Sequence, residues 1–300
     1  MSDPAHLDLE ALMQSWVLGM RAERKSPATI KAYTDAVTGF IRWCRAEDVP
    51  VVLDRPTVNA YIAGLLDAGR EPTTARARQL GIRRFSAWLT AEGEVDADPL
   101  LGIKVPKLDR KVIEPLTETE IKALLKACAG NDFRARRDEA LVRLMVETGM
   151  RAGEAAGLSV EDVNLLEGVA IVRRGKGGKG RPVPFGPQTA RALDRYRRLR
   201  TQHKLADLPD FWLGERSRGF TYYALHKALG ERAAVAGIDR FHPHLLRHTA
   251  AHRWLAAGGS ELGLMAVAGW TRPDMVQRYT QARASDRAAA EARGLNLGDL

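Results

Sequence analysis

Between Phe241 and Thr280 the chain reads FHPHLLRHTAAHRWLAAGGSELGLMAVAGWTRPDMVQRYT. His244 and Arg247 stand three residues apart in a run of helical character, which puts an imidazole and a guanidinium on one face. A guanidinium is planar and always charged, and its paired N–H groups match the two non-bridging oxygens of a phosphodiester, which gain charge during displacement. A lone phenol, Tyr279, follows in the same stretch, and a phenol can serve as the nucleophile. The chemistry these residue types suit is displacement at a phosphodiester.

Two further stretches carry groups of the same kind. In ETGMRAGEAAGLSVEDV, Gly149 ends an apolar helical run and delivers Arg151 at a turn, with Glu154 three residues on and placed to orient it. In RRGKGGKGRPVPF, Lys176 and Lys179 lie between two short extended runs. A phosphate-cradling loop would need G-x-x-x-x-G-K-[ST] ahead of a helix, whereas GKGGKG sits at a hairpin tip. His244, His248 and His252 recur at four-residue steps and invite comparison with a zinc site. No HExxH-type base accompanies them and no Cys is near, so no metal is expected, and His248 and His252 read as structural.

Together the three stretches resemble the catalytic domain of the tyrosine recombinases, the phage-integrase family that includes the Xer-type recombinases. The family order Arg, Lys, His-x-x-Arg, His or Trp, Tyr is met at Arg151, Lys176, His244, Arg247, Trp270 and Tyr279. The resemblance implies that Arg151 and Arg247 grip both non-bridging oxygens of one phosphate, and that His244 hydrogen-bonds the phosphate or assists the phenol as a base. It implies that Tyr279 attacks to leave a 3′-phosphotyrosine and a free 5′-hydroxyl, with Lys176 as the general acid and Lys179 as its alternative. The commonest family pattern has Gly-His where this chain has Gly269-Trp270. An indole offers one N–H donor and cannot shuttle a proton, so hydrogen bonding and packing are the roles left to Trp270. Because bond energy is kept in the phosphotyrosyl ester, no cofactor, metal or nucleotide, is required.

The activity so implied is site-specific recombination by a tetramer acting on two duplexes through a Holliday junction. The expected partners are double-stranded DNA with a short inverted-repeat core site, and either further copies of the chain or a related recombinase. Two other readings use the same fold: DNA relaxation of the type IB topoisomerase kind, and a catalytically idle DNA-binding protein. The small helical first half and the tail after Tyr279 speak against the former, the complete residue set against the latter.

The elements that must position these groups are legible as periodicity and punctuation. Leu9, Leu12, Trp16 and Met20 recur at helical steps; Ser26-Pro27 reads as an N-cap followed by Pro at the first helical position. Further helical runs begin near Arg55-Pro56-Thr57 and after Pro72-Thr73-Thr74. Four amphipathic helices with short loops make a bundle over residues 1–100, its aromatics read as core. SPATIKAYTDAVTGFIRWC resembles the opening of the family's SAM-like core-binding domain, a DNA clamp. That resemblance makes Lys25, Lys31, Arg76, Arg78, Arg83 and Arg84 phosphate contacts. The absence of an additional arm-binding domain before Leu7 points toward simple recombinases rather than lambda-like integrases.

A Pro-punctuated basic segment over 101–114 reads as a linker, and Thr117 answered by Glu120 has the look of a capping box that opens a second domain over 115–300. There the sequence predicts an apolar helix over Glu139–Thr148 and two strands, EGVAIVRR and RPVPF. It also predicts a helix from Thr189 to Leu205 whose arginines, Arg191, Arg195, Arg197, Arg198 and Arg200, form a solvated face, and another from Thr221 to Val235. Past Tyr279, small alanines alternate with charges before Leu295, Leu297 and Leu300, a pattern suited to docking on another surface, which in the family is a neighbouring protomer. The expected fold is mainly α with a small antiparallel β-sheet: a helical bundle followed by a mixed α+β catalytic domain with a C-terminal tail.

Composition fits this reading. The 300 residues carry 46 Lys and Arg against 37 Asp and Glu, a net charge of +9, which points to an anionic partner. The excess is localised: residues 1–100 hold 12 basic and 14 acidic side chains, residues 115–300 hold 30 and 21. Two cysteines without paired spacing suit a reducing cytosol. No apolar run reaches the roughly 18 residues of a membrane span and the acidic start lacks a signal-peptide n-region, so a cytoplasmic protein without membrane attachment is expected.

Overall fold

The computed structural model describes residues 7–108, 113–173, 180–215, 220–276 and residue 293. Two compact units divide the chain, Met1–Lys111 and Val112–Leu300.

The first unit holds α1 (Leu9–Ala22), α2 (Pro27–Ala46), α3 (Arg55–Asp67) and α4 (Pro72–Ala91). Their starts follow local chemistry. The side chains of Asp8, Ser26 and Asp54 accept backbone N–H bonds in the first turns of α1, α2 and α3, and Pro opens α2, α3 and α4. Trp16, Val37, Phe40, Tyr61, Ile82 and Phe85 are buried between the helices, so the aromatics are core. Part of the stretch read as linker belongs to this unit. Leu100 and Ile103 are buried in its core, Asp98 accepts from Ser86 and from the Leu100 N–H, and Gln79 donates to the Lys104 carbonyl at 3.0 Å. Ile103 gains more from burial than a solvated linker would give it.

The second unit begins with α5 (Glu118–Ala127), whose Thr117 and Glu120 form the expected reciprocal cap. Then come α6 (Phe133–Thr148), α7 (Ala152–Ala156), β1 (Val163–Asn164), β2 (Val169–Val172), β3 (Arg181–Pro184), α8 (Pro187–Arg200), α9 (Tyr222–Val235), α10 (Pro243–Ala256) and α11 (Glu261–Ala268). The sheet is antiparallel in the order β1-β2-β3, with Val163 opposite Ala170 and Val172 opposite Arg181. The strand that the sequence does not predict, β1, is only two residues long and too short to show an alternating pattern.

Two expectations need correction, both involving buried charge. Helix α6 starts at Phe133 rather than Glu139, capped by Asp132, because Arg137 and Asp138 are buried in it rather than flanking it. Arg137 donates twice to Asp138 Oδ1 and lies over the Phe220 ring at 4.1 Å, while Arg232 of α9 donates to Asp138 Oδ2 at 2.9 Å. A polar period therefore hides an apolar environment in which each charge is paired. Likewise Arg200 is not on a solvated face: it is 5% exposed and donates to the carbonyls of Ala206, Leu208, Asp210 and Phe211, ending α8 there. Among the described residues no helix is long and apolar enough to cross a membrane.

Candidate active site

Helix α6 ends at Gly149, which adopts φ 64° and returns its N–H to the Met145 carbonyl at 3.0 Å. That left-handed turn costs a glycine little and redirects the chain so that Arg151 becomes the N-cap of α7. Glu154, one turn on, accepts from the Arg151 backbone N–H at 3.0 Å and from its guanidinium at 2.7 Å. The Arg151 side chain stays 26% exposed, so its guanidinium remains accessible to a ligand.

Helix α10 is buried on nearly every side, with Leu245, Leu246, Thr249 and Ala250 among its core residues. Arg247 is 2% exposed and donates to the Gly149 carbonyl at 2.7 Å and the Ala268 carbonyl at 2.8 Å. His244, a turn earlier, is exposed, and its ring meets that of the buried His248 edge-on at 4.8 Å. Partial withdrawal from water, then the Arg247, His242 and Arg151 charges, hold His244 below the ordinary histidine value. Burial first, then the His244, His242 and His252 rings and Arg247, push His248 down to about 4. Both imidazoles are thus neutral near neutrality.

The third part is the C-terminal end of α11. A helix leaves its last carbonyls without internal partners, and that end carries partial negative charge. Here the Trp270 N–H returns to Met265 and the Gly269 N–H to Ala266, at 2.9 and 3.3 Å. The next two carbonyls take guanidinium donors: Val267 from Arg181 Nε at 2.8 Å and Ala268 from Arg247 at 2.8 Å. Arg151 reaches the carbonyl of Gly269 at 3.5 Å. Consecutive carbonyls thus collect three arginines distant in sequence, from β3, α10 and the α7 N-cap. Gly269 sits at φ 65°, and a Cβ there would lie 2.8 Å from the Arg181 guanidinium carbon. Trp270, buried against Leu255 and Leu264, lies beneath Arg247.

The structure therefore brings Arg151, Glu154, Arg247 and Trp270 to one turn, with His244 one helical turn from Arg247 on the same helix. Lys176, Lys179, Tyr279 and, apart from residue 293, the tail after it lie outside the described residues. Arg181 was missed by sequence reasoning. It donates two bonds to Glu154, at 2.7 and 3.2 Å, besides its bond to Val267, and its only sequence signal was its place at the start of the second strand. Burial pushes Glu154 up, but the bonds from Arg181 and from the backbone and side chain of Arg151 outweigh it and hold the carboxyl below its usual range. Among the described residues no cluster of His, Cys, Asp and Glu suits a metal ion.

In the first unit Lys25 pairs with Glu23 at 3.2 Å and Lys31 with Asp35 at 2.9 Å. Along α4, Arg76 and Arg83 are two turns apart on one face with Arg84 beside them, whereas Arg78 projects from the opposite side, within the electrostatic reach of Tyr61. The structure thus groups three of the four arginines.

A family model described as the phage integrase family matches residues 114–286, and one described as phage integrase, N-terminal SAM-like domain, matches residues 12–85. The chain is 29% identical to tyrosine recombinase XerC of Pseudomonas fluorescens over 91% of each chain. It is 30% identical to tyrosine recombinase XerD of Bifidobacterium longum, over 90% of this chain and 92% of that one. A solved structure of XerH site-specific recombinase bound to palindromic difH substrate, a post-cleavage complex, shares the fold with a TM-score of 0.72 at 17% identity, over 95% of this chain and 83% of that one.

Proposed function

The chain belongs to the phage integrase family, whose tyrosine recombinases break and rejoin DNA at specific sites, and from that membership we propose how its residues divide the reaction. Tyr279 supplies the phenol oxygen that attacks phosphorus, forming the P–O(Tyr) bond as the P–O5′ bond breaks. Lys176 protonates the departing 5′ oxygen. Arg151 and Arg247 hold the non-bridging oxygens with charge-assisted donors, Trp270 supports Arg247, and neutral His244 either donates to the phosphate or takes the phenol proton. The reverse attack by a 5′-hydroxyl from a partner duplex restores the backbone, so no external energy source enters.

The observation that carries this reading is the convergence of Arg151 and Arg247 on carbonyls of one turn, although the two residues belong to different helices. Two guanidiniums held this way present fixed positive charge where a diester gains negative charge, without reorganisation during the reaction. Double-stranded DNA bearing a short inverted-repeat core site is the substrate, and the working assembly is a tetramer of this chain, or of this chain with a related recombinase. The first unit, residues 1–100 in this reading, is the DNA clamp. Its contacts are Lys25, Lys31, Arg76, Arg83 and Arg84, with Lys179 added from the second unit; Arg78, on the opposite side of α4, is left out of the DNA-facing set. Action on DNA assigns the protein to the cytoplasm.

The test is covalent capture. Nicked duplexes with a randomised core are incubated with the protein, denatured in SDS, and the protein-linked DNA is sequenced. The intact protein should enrich one inverted-repeat site; Tyr279→Phe should bind that site and yield no adduct. An adduct formed by the Phe variant would remove Tyr279 from the nucleophile role.

A further inference from the structure

We propose that Arg181 is a positioning residue for the cleavage step, acting through Glu154 to keep the charge of Arg151 available to the scissile phosphate. The inference rests on the reading of Arg151 as a phosphate-holding residue. Glu154 has one negative charge, a side chain 6% exposed, and two guanidinium partners: Arg151 at 2.7 Å, and Arg181 at 2.7 and 3.2 Å. Arg181 is the better seated of the two. Its side chain is 11% exposed against 26% for Arg151, its Nε is anchored on the Val267 carbonyl, and its guanidinium packs where Gly269 lacks a Cβ.

The electrostatic consequence follows from counting charges. A buried carboxylate facing one arginine would draw that arginine into a closed, neutral pair, since both oxygens would seek its N–H groups. With Arg181 occupying one edge of the carboxylate, Arg151 engages Glu154 through one side-chain bond only, and the three groups together keep one net positive charge. Arg181 also ties β3 to the end of α11, the turn whose carbonyls hold Arg247 and receive Arg151. Removing it frees Glu154 to close on Arg151 and loosens the turn from the strand.

A neutral substrate separates this role from a general loss of structure. Replacing one non-bridging oxygen of the scissile phosphate by methyl gives a methylphosphonate, which carries no charge for Arg151 to neutralise. On the nicked duplex selected by covalent capture, Arg181→Ala should slow adduct formation by about 100-fold, the scale of a misplaced catalytic group. On the methylphosphonate version its loss should shrink to within about threefold, and Arg151→Ala should show the same pattern. The Arg151→Ala/Arg181→Ala double variant should be no slower than Arg151→Ala alone, as for residues acting on one path. If Arg181→Ala fails to fold, Arg181→Gln, which retains a donor for the Val267 carbonyl without the charge, takes its place. Equal losses on both substrates for the Arg181 variant, or multiplying losses in the double variant, overturn the inference while leaving Arg151 in its role. Equal losses on both substrates for Arg151→Ala instead overturn the reading of Arg151, and the inference with it.

Discussion

The guanidinium carbon of Arg247 lies 5.0 Å from the centroid of the Trp270 ring, so the residue that stands where the family more often has histidine serves as the floor under a catalytic candidate. A cation above an indole face is attracted by the ring quadrupole, and the attraction strengthens as water is excluded. At 2% and 6% exposure, Arg247 and Trp270 are both in that regime. Trp270→Ala should cost about 3 kcal/mol of stability by urea unfolding, since it opens a cavity beneath Arg247. Trp270→Phe keeps a ring face and should cost about half as much or less, with adduct formation retained at a reduced rate. Equal stability of the Ala variant and the unaltered protein would contradict the packing role.

Stability should fall in mild acid. His248 is held neutral in the folded chain down to about 4, from an ordinary value of 6.5. Below 6.5 the unfolded chain therefore binds a proton that the folded one does not, so the stabilisation is full above 6.5 and is lost progressively as pH falls toward 4. The groups that shift it, His244, His242, His252 and Arg247, bring positive charge or none, so they add to the cost of charging the ring. Urea midpoints should show a loss of about 2 kcal/mol between neutrality and pH ~5, and His248→Gln should flatten that slope. An unchanged slope in the variant would assign the effect elsewhere.

Asp138 is the only carboxylate bonded to both Arg137 and Arg232 among the described residues, and it is fully buried. Asp138→Ala should destabilise the second unit by about 3–5 kcal/mol, because it leaves two guanidiniums short of a partner in a poorly solvated place. Exposed pairs such as Lys31 with Asp35 set the contrast: Asp35→Ala should change the melting temperature little. Calorimetry on both variants checks the ranking.

The grouping of Arg76, Arg83 and Arg84 on one side of α4 gives a salt-dependence test. Removing one phosphate-binding side chain should lower the slope of log affinity against log salt by about 1, as fewer counterions are released. Replacing any of the three by Ala should do so uniformly across DNA sequences, whereas Arg78→Ala should leave the slope nearer its starting value. A larger change for Arg78 than for the other three would reverse the assignment of the DNA-facing side.

Except for α6, whose start at Phe133 was hidden by the charges ahead of Glu139, helix beginnings were legible because their causes are local. Ser26 with Pro27, Asp54 with Pro56, and Thr117 with Glu120 satisfy backbone donors within three residues, and periodic apolar positions fix which face turns inward. The order of Arg151, His244, Arg247 and Trp270 along the chain was readable for a related reason: a motif is a matter of residue type and spacing. What the sequence did not reveal has a common physical form. Arg200 reads as a solvated charge and nothing in the sequence marks Arg137 or Arg181 for burial, yet each is largely withdrawn from water. A guanidinium can leave solvent only where acceptors are supplied from elsewhere: loop carbonyls for Arg200, Asp138 and the Phe220 ring for Arg137, Glu154 and Val267 for Arg181. Strand β1 exists only through its pairing with β2, and Ile103 left the linker only because a core was there to receive it. The sequence by itself determined most of the elements and the order of the candidate residues along the chain; the tertiary structure alone decided which charges are solvated and which are held, because that depends on carbonyls and carboxylates distant in sequence arriving at one place.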